Sequence, residues 1–163
     1  MARRLGAGAA AASALFLLFA CRPPHPTDAA LRATFARHRL DFERLLGMFH
    51  GDAGLTRVGS GFTRPEDPST VGVSAARLAE YHRLFGALGL ADGIERGPGD
   101  EIWFRASSSG LAISGSGKGF VWTRSSPDPL VDRLDGYRSA DGRSFTAYSR
   151  IDGDWYLVYD FED

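Results

Sequence analysis

Two hydrophobic periods divide the chain. Between residue 27 and Leu90 apolar side chains recur every three or four positions, and from Gly93 onward they alternate every second position. The first regime predicts two helices. One runs from about Thr27 or Asp28 to His50, with Leu31, Phe35, His38, Phe42, Leu45 and Phe49 on a single stripe and Arg32, Arg37, Arg39, Asp41, Glu43 and Arg44 on the other faces. Thr27 serves as its N-cap, Asp28 suits the positive end of the helix dipole, and Gly51-Asp52-Ala53-Gly54 ends it. The second helix starts after the N-cap Ser74 and buries Leu78, Tyr81, Leu84, Phe85 and Leu88. Gly89 stands where a left-handed C-terminal residue is expected, with Leu90 supplying the apolar contact of a Schellman ending. Leu55–Val58 reads as a short strand and Gly59–Pro68 as loop.

The second regime predicts strands at Ile94–Arg96, Glu101–Ala106, Leu111–Ser114, Gly119–Thr123, Ser144–Ile151 and Trp155–Phe161. Asp152-Gly153 is a two-residue hairpin signal, and Ser125–Gly142 is a long connection rich in Pro and acids. Strands this close in sequence pair antiparallel, since a parallel return needs a crossover of about a dozen residues. The expectation is an α+β domain over residues 27–163: two helices packed on one antiparallel meander sheet of five or six strands.

The first 26 residues follow neither period. Arg3 and Arg4 precede an uncharged run from Leu5 to Ala20, densest in apolar residues from Ala9 onward. That run is short for a bilayer span, which takes about 20 residues, and it has the layout of a secretory signal over residues 1–20. It stops at Cys21, the only cysteine. Leu18-Phe19-Ala20-Cys21 resembles the lipobox of bacterial lipoproteins, with Phe19 replacing the smaller residue usual there. The resemblance implies cleavage before Cys21, lipidation of its thiol and acylation of the new amino group. Several acyl chains give a permanent anchor where one alone is marginal. Arg22 stands where such lipoproteins carry Asp for inner-membrane retention, which implies the outer membrane, facing the periplasm. Arg22-Pro23-Pro24-His25-Pro26 reads as a stiff tether.

The formal net charge over 163 residues is −1, and setting aside Arg3 and Arg4 makes the remainder more acidic. That excludes the basic surface of a nucleic-acid binder. A hydrophobic fraction of 44% excludes a disordered chain. Lys118 is the single lysine.

Catalytic and metal motifs are sparse. Gly115-Ser116-Gly117-Lys118-Gly119 fails as a phosphate loop: Ala112 occupies the first glycine position, Gly119 the Mg²⁺-binding hydroxyl position, and the flanks are strands. It reads as a hairpin tip, with Ser114, Ser116 and Lys118 as candidate loop contacts. Ser114-Gly115-Ser116-Gly117 resembles a Ser-Gly motif of periplasmic lysozyme inhibitors, whose protruding loop enters the enzyme's cleft. His25, His38, His50 and His82 lack the i, i+4 spacing of a helical zinc site, and His38 reads as a core histidine. Asp128, Asp132, Asp135 and Asp141 lack the order of an EF-hand loop and read as solvated acids, with loose calcium binding the competing reading. No nucleophile elbow and no Ser-x-x-Lys pattern is present. No cofactor is implied.

The aromatics carry the remaining signal. Both faces of the last strand are apolar, and two helices cover only one side of a sheet. Trp103, Arg105, Tyr148, Arg150 and Tyr156 are therefore expected on the open face as a partner-binding patch of residue types enriched at hot spots. The segment from Pro127 to Leu157 resembles uncharacterised proteobacterial lipoproteins, which implies no activity. The expected function is a non-enzymatic, envelope-anchored lipoprotein that binds a periplasmic protein partner. Inhibition of, or immunity to, a cell-wall-directed enzyme is one concrete form. The alternative is a binder of a small envelope ligand, glycan or lipid, in a helix–sheet crevice. A hydrolase working through scattered acids is a third reading.

Overall fold

Thr27 opens helix α1 (Asp28–Gly51) with its hydroxyl accepting from the Ala30 N–H at 3.2 Å. The computed structural model describes residues 25–111 and 114–163, so the expected signal over residues 1–20, Cys21 and most of the expected tether lie outside the described residues. Leu31, Phe35, Phe42, Leu45 and Phe49 are buried as the stripe requires. His38 departs from it. The backbone there leaves helical values (φ −118°, ψ 24°), and the half-buried ring sets Nδ1 3.3 Å from Asp41 Oδ2, so it is not a core histidine. Helix α2 (Ala75–Leu88) is capped by Ser74, ends on left-handed Gly89 (φ 67°), and closes with Leu90 N–H donating to the Phe85 carbonyl. Asp52 joins the two helices, its Oδ2 accepting from Arg77 Nε at 2.9 Å and the Tyr81 hydroxyl at 2.7 Å. Burial, then the Asp52 carboxylate, push the Tyr81 phenol well above its ordinary range and keep it a donor. Among the described residues, no helix is long and apolar enough to cross a membrane.

One antiparallel sheet follows: β1 (Arg57–Val58), β2 (Thr63–Arg64), β3 (Gly93–Arg96), β4 (Ile102–Leu111), β5 (Ser114–Trp122), β6 (Phe145–Asp152) and β7 (Trp155–Glu162). It has seven strands rather than five or six. The order β2-β1-β3-β4-β5-β7-β6 also replaces a simple meander. The additional pairing is the β1–β2 ladder of two residues on each side, too short to show a period. The final hairpin is inserted in reverse. The connection after Thr123 carries the chain to the far edge, so β7 returns between β5 and β6. That connection covers the edge it reaches: Val131 N–H donates to Tyr148 O at 2.8 Å and Tyr148 N–H to Pro129 O at 3.1 Å.

Gly115–Gly119 is not a hairpin tip. It lies within β5, paired to β4 on one side and β7 on the other. Of the expected Leu111–Ser114 strand, Leu111 ends β4 and Ser114 opens β5, while Ala112 and Ile113 lie outside the described residues.

The helices cover the face bearing Ile102, Phe104, Phe120, Trp155 and Leu157. Phe42, fully buried, sits at its centre, 4.6 Å from the Phe120 ring centroid and 5.7 Å from those of Phe104 and Trp155. Phe42→Ala is expected to lower the unfolding free energy by roughly 3–5 kcal/mol in urea denaturation. A loss below about 1 kcal/mol would show the stripe to be dispensable.

Candidate functional site

The sheet register places Trp103, Arg105, Tyr148, Arg150 and Tyr156 on one side, opposite the helices. Trp103 aligns with Val121, Tyr156 and Arg150; Arg105 aligns with Gly119, Val158 and Tyr148. The shared side is as the alternation requires, but the expected exposure is corrected. Trp103, Tyr148 and Tyr156 are only 4–7% exposed and form a second small core with Val121 and Val158. The long side chains lie down across the sheet and cover one another. Glu101, just before β4, accepts from Trp103 Nε1 at 2.6 Å and from the hydroxyl of Tyr148, three strands away, at 3.1 Å. The Arg105 guanidinium rests 4.2 Å from the Trp103 ring centroid and pairs with Glu95 and Asp160 at 2.7 and 2.5 Å. Gly117 makes room for that bridge, since a Cβ there would stand 2.6 Å from Arg105 Nη1. Burial raises the Asp160 carboxyl above its ordinary range, partly offset by Arg105. Only Arg150 of the five is exposed.

Lys118 is likewise not a loop contact. Strand alternation puts it on the helix side with Phe120, where it is 3% exposed. Its Nζ lies 2.6 Å from both Asp28 Oδ1 and Asp135 Oδ1. The two aspartates cap each other's backbone. Asp28 N–H donates to both Asp135 oxygens at 3.1 Å, and Asp28 Oδ2 accepts from Leu134 N–H at 2.7 Å. Burial pushes the Asp135 carboxyl up, but the hydrogen bonds from Lys118 and the Asp28 N–H, with the Lys118 charge, outweigh it and hold the group below its usual range. Asp135 is thus a structural ion-pair partner rather than a solvated acid, and among the described residues no three His, Cys, Asp or Glu side chains converge as a metal would need.

His25, expected in the stiff tether, is docked beside this cluster. Its Nδ1 is 2.8 Å from Ser107 Oγ and its Nε2 2.7 Å from Ser116 Oγ, and its ring packs edge-on to Tyr159. Burial, then the Lys118 charge, lower its pKa, which favours the neutral ring that donates at one nitrogen and accepts at the other. Ser116 therefore makes a tether contact, and the Ser114 side chain lies outside the described part of β5. The lysine's phase with Phe120 in β5 was the sequence signal for its burial. Nothing local pointed to His25.

A second feature is an open apolar groove beside α2. One section, about 430 Å³, is lined by Phe85, Gly86, Gly89, Leu90, Ala91 and His82. A neighbouring section of about 390 Å³ shares His82 and adds Phe62, Pro68 and Leu78. Phe62 is 47% exposed, with the Arg57 guanidinium 4.9 Å from its ring centroid. Comparison with protein-family models, curated proteins and solved structures gives no match.

Lys118→Met is expected to cost about 3–5 kcal/mol in chemical denaturation, because it leaves the Asp28 carboxylate buried without its cation. A neutral or stabilising result would show the cluster to be dispensable. Tyr156→Ala is expected to cost roughly 3 kcal/mol as a core truncation. Unchanged stability would return this ring to the surface.

Proposed function

We propose that this chain is an envelope-anchored, non-enzymatic lipoprotein, held by a lipidated Cys21 at the outer membrane, whose α2 groove binds a periplasmic protein partner. The anchor rests on the lipobox resemblance of Leu18-Phe19-Ala20-Cys21. The single observation that supports the binding reading is the groove itself. It joins apolar walls to a half-exposed Phe62 at its margin, and a rigid aromatic with a guanidinium against it is the composition of an interface anchor. This moves the binding surface from the sheet's second face to the groove. A partner that is itself a cell-wall-directed enzyme, inhibited or neutralised by docking, is the concrete form of this reading.

The alternative is a small apolar envelope ligand in the same place. The groove volume of about 430 Å³ favours it by falling within the range of small-molecule sites, roughly 300–1,000 Å³. The groove's open side favours the protein reading, because a small ligand needs enclosure on most of its surface.

Gly86 separates the readings from general damage. A Cβ there meets no atom within 4 Å, so a large side chain stands in the groove and not in the core. The domain is used to capture proteins from envelope extract, and the captured protein is identified by mass spectrometry. Gly86→Trp is expected to weaken its binding by roughly 30-fold, about 2 kcal/mol, at unchanged unfolding midpoint. Unaltered affinity would remove the groove from the interface. In the same cells Cys21→Ser is expected to abolish fatty-acid labelling, and continued labelling would overturn the anchor.

A further inference from the structure

The docked His25 fixes where the anchor leaves the domain. It is held on β4 by Ser107 and on β5 by Ser116, near the end of the hairpin these strands form. Four residue steps separate it from Cys21, a reach of at most about 14 Å when fully extended. The opposite end of β5, at Trp122, lies six residues beyond Ser116, roughly 20 Å along the strand. The tether is therefore too short to bring its anchor to that end.

We propose that the β4–β5 hairpin end of the sheet is the surface that meets the bilayer, and that His25 orients the whole domain on the membrane. The inference rests on the lipid-anchor reading above. The occupant is the phospholipid headgroup layer, and the charge pattern suits it. From Ala106 to Gly117 the sequence carries no charged residue. Ser108, Ser109 and Gly110 of β4 are exposed there. Glu162, Asp163 and Arg143 flank this end, and Ser108–Gly110 line a cavity with Arg57, Asp92, Glu95, Arg105 and Asp160, so both signs stand around the uncharged stretch, which matches a zwitterionic surface better than an anionic one. The other end of the sheet has no uncharged stretch of that length. Asp152 and Asp154 bracket the β6–β7 turn, Arg39 pairs with Asp152, and Asp100 and Arg124 lie beyond β5.

The test uses the full lipidated chain in vesicles of zwitterionic phospholipid containing a nitroxide-headgroup lipid. A fluorophore is placed on an introduced cysteine, Ser109→Cys at the hairpin end or Asp154→Cys at the far turn, both exposed positions. Flotation is read first, then quenching. Quenching at the Ser109 position with none at the Asp154 position is the expected result. Ser107→Ala combined with Ser116→Ala, which frees the His25 ring without adding bulk, is expected to erase that difference while flotation and unfolding midpoint persist. A chain that floats but quenches equally at both positions, or keeps the difference after both serines are removed, overturns the orientation and leaves the anchor standing. A chain that stays in the aqueous fraction overturns the two together.

Discussion

The Lys118 ammonium between Asp28 and Asp135 is the joint on which the arrangement depends. It ties three pieces that are distant in sequence: the first turn of α1, the middle of β5, and the connection that carries the chain to the sheet's far edge. A buried ion cluster is weak evidence for net stability, because desolvation offsets most of the Coulomb attraction. Its effect is positional. Any slip of α1 along the sheet separates the charges and also breaks the reciprocal caps between Asp28 and Asp135. A compact ammonium fits between two carboxylate oxygens 2.6 Å away on either side, whereas a guanidinium needs a planar fork.

With α1 fixed there, the two sheet faces resolve differently. The helical face is closed by aromatic packing around Phe42. Among the described residues no helix covers the other face, which closes by laying Trp103, Tyr148 and Arg105 flat over small residues at its centre. Gly117 and Gly119 are the reason this works, since a side chain at either would collide with the Arg105 bridge or with β4's backbone. An apolar groove remains open beside α2, where Gly86 and Gly89 leave a gap that larger residues would fill.

Much of this was legible in the sequence. Both helices, both N-caps and the Gly89–Leu90 ending follow from local spacing and capping chemistry, which act within a few residues. The shared side of Trp103, Arg105, Tyr148, Arg150 and Tyr156 follows from strand alternation, which fixes a face. Exposure is another matter. Whether Tyr156 is wet depends on which neighbours fall across it from strands as far as two away, and alternation holds no information on that. Strand order failed for the same reason: β7's place between β5 and β6 is decided by where the connection after Thr123 lands. Of the candidate site, the groove and the docking of His25 are products of tertiary proximity alone.

The burial of Lys118 has a chemical corollary. Every other cationic side chain in the sequence, histidine aside, is an arginine, so apart from the α-amino terminus the folded domain presents no primary amine to its surroundings. Acylating reagents that modify most protein surfaces would leave it untouched while the joint is closed. The rate at which the one lysine becomes acylated would then be a clock for local opening of this joint, read at a single atom, in a chain that needs no introduced probe.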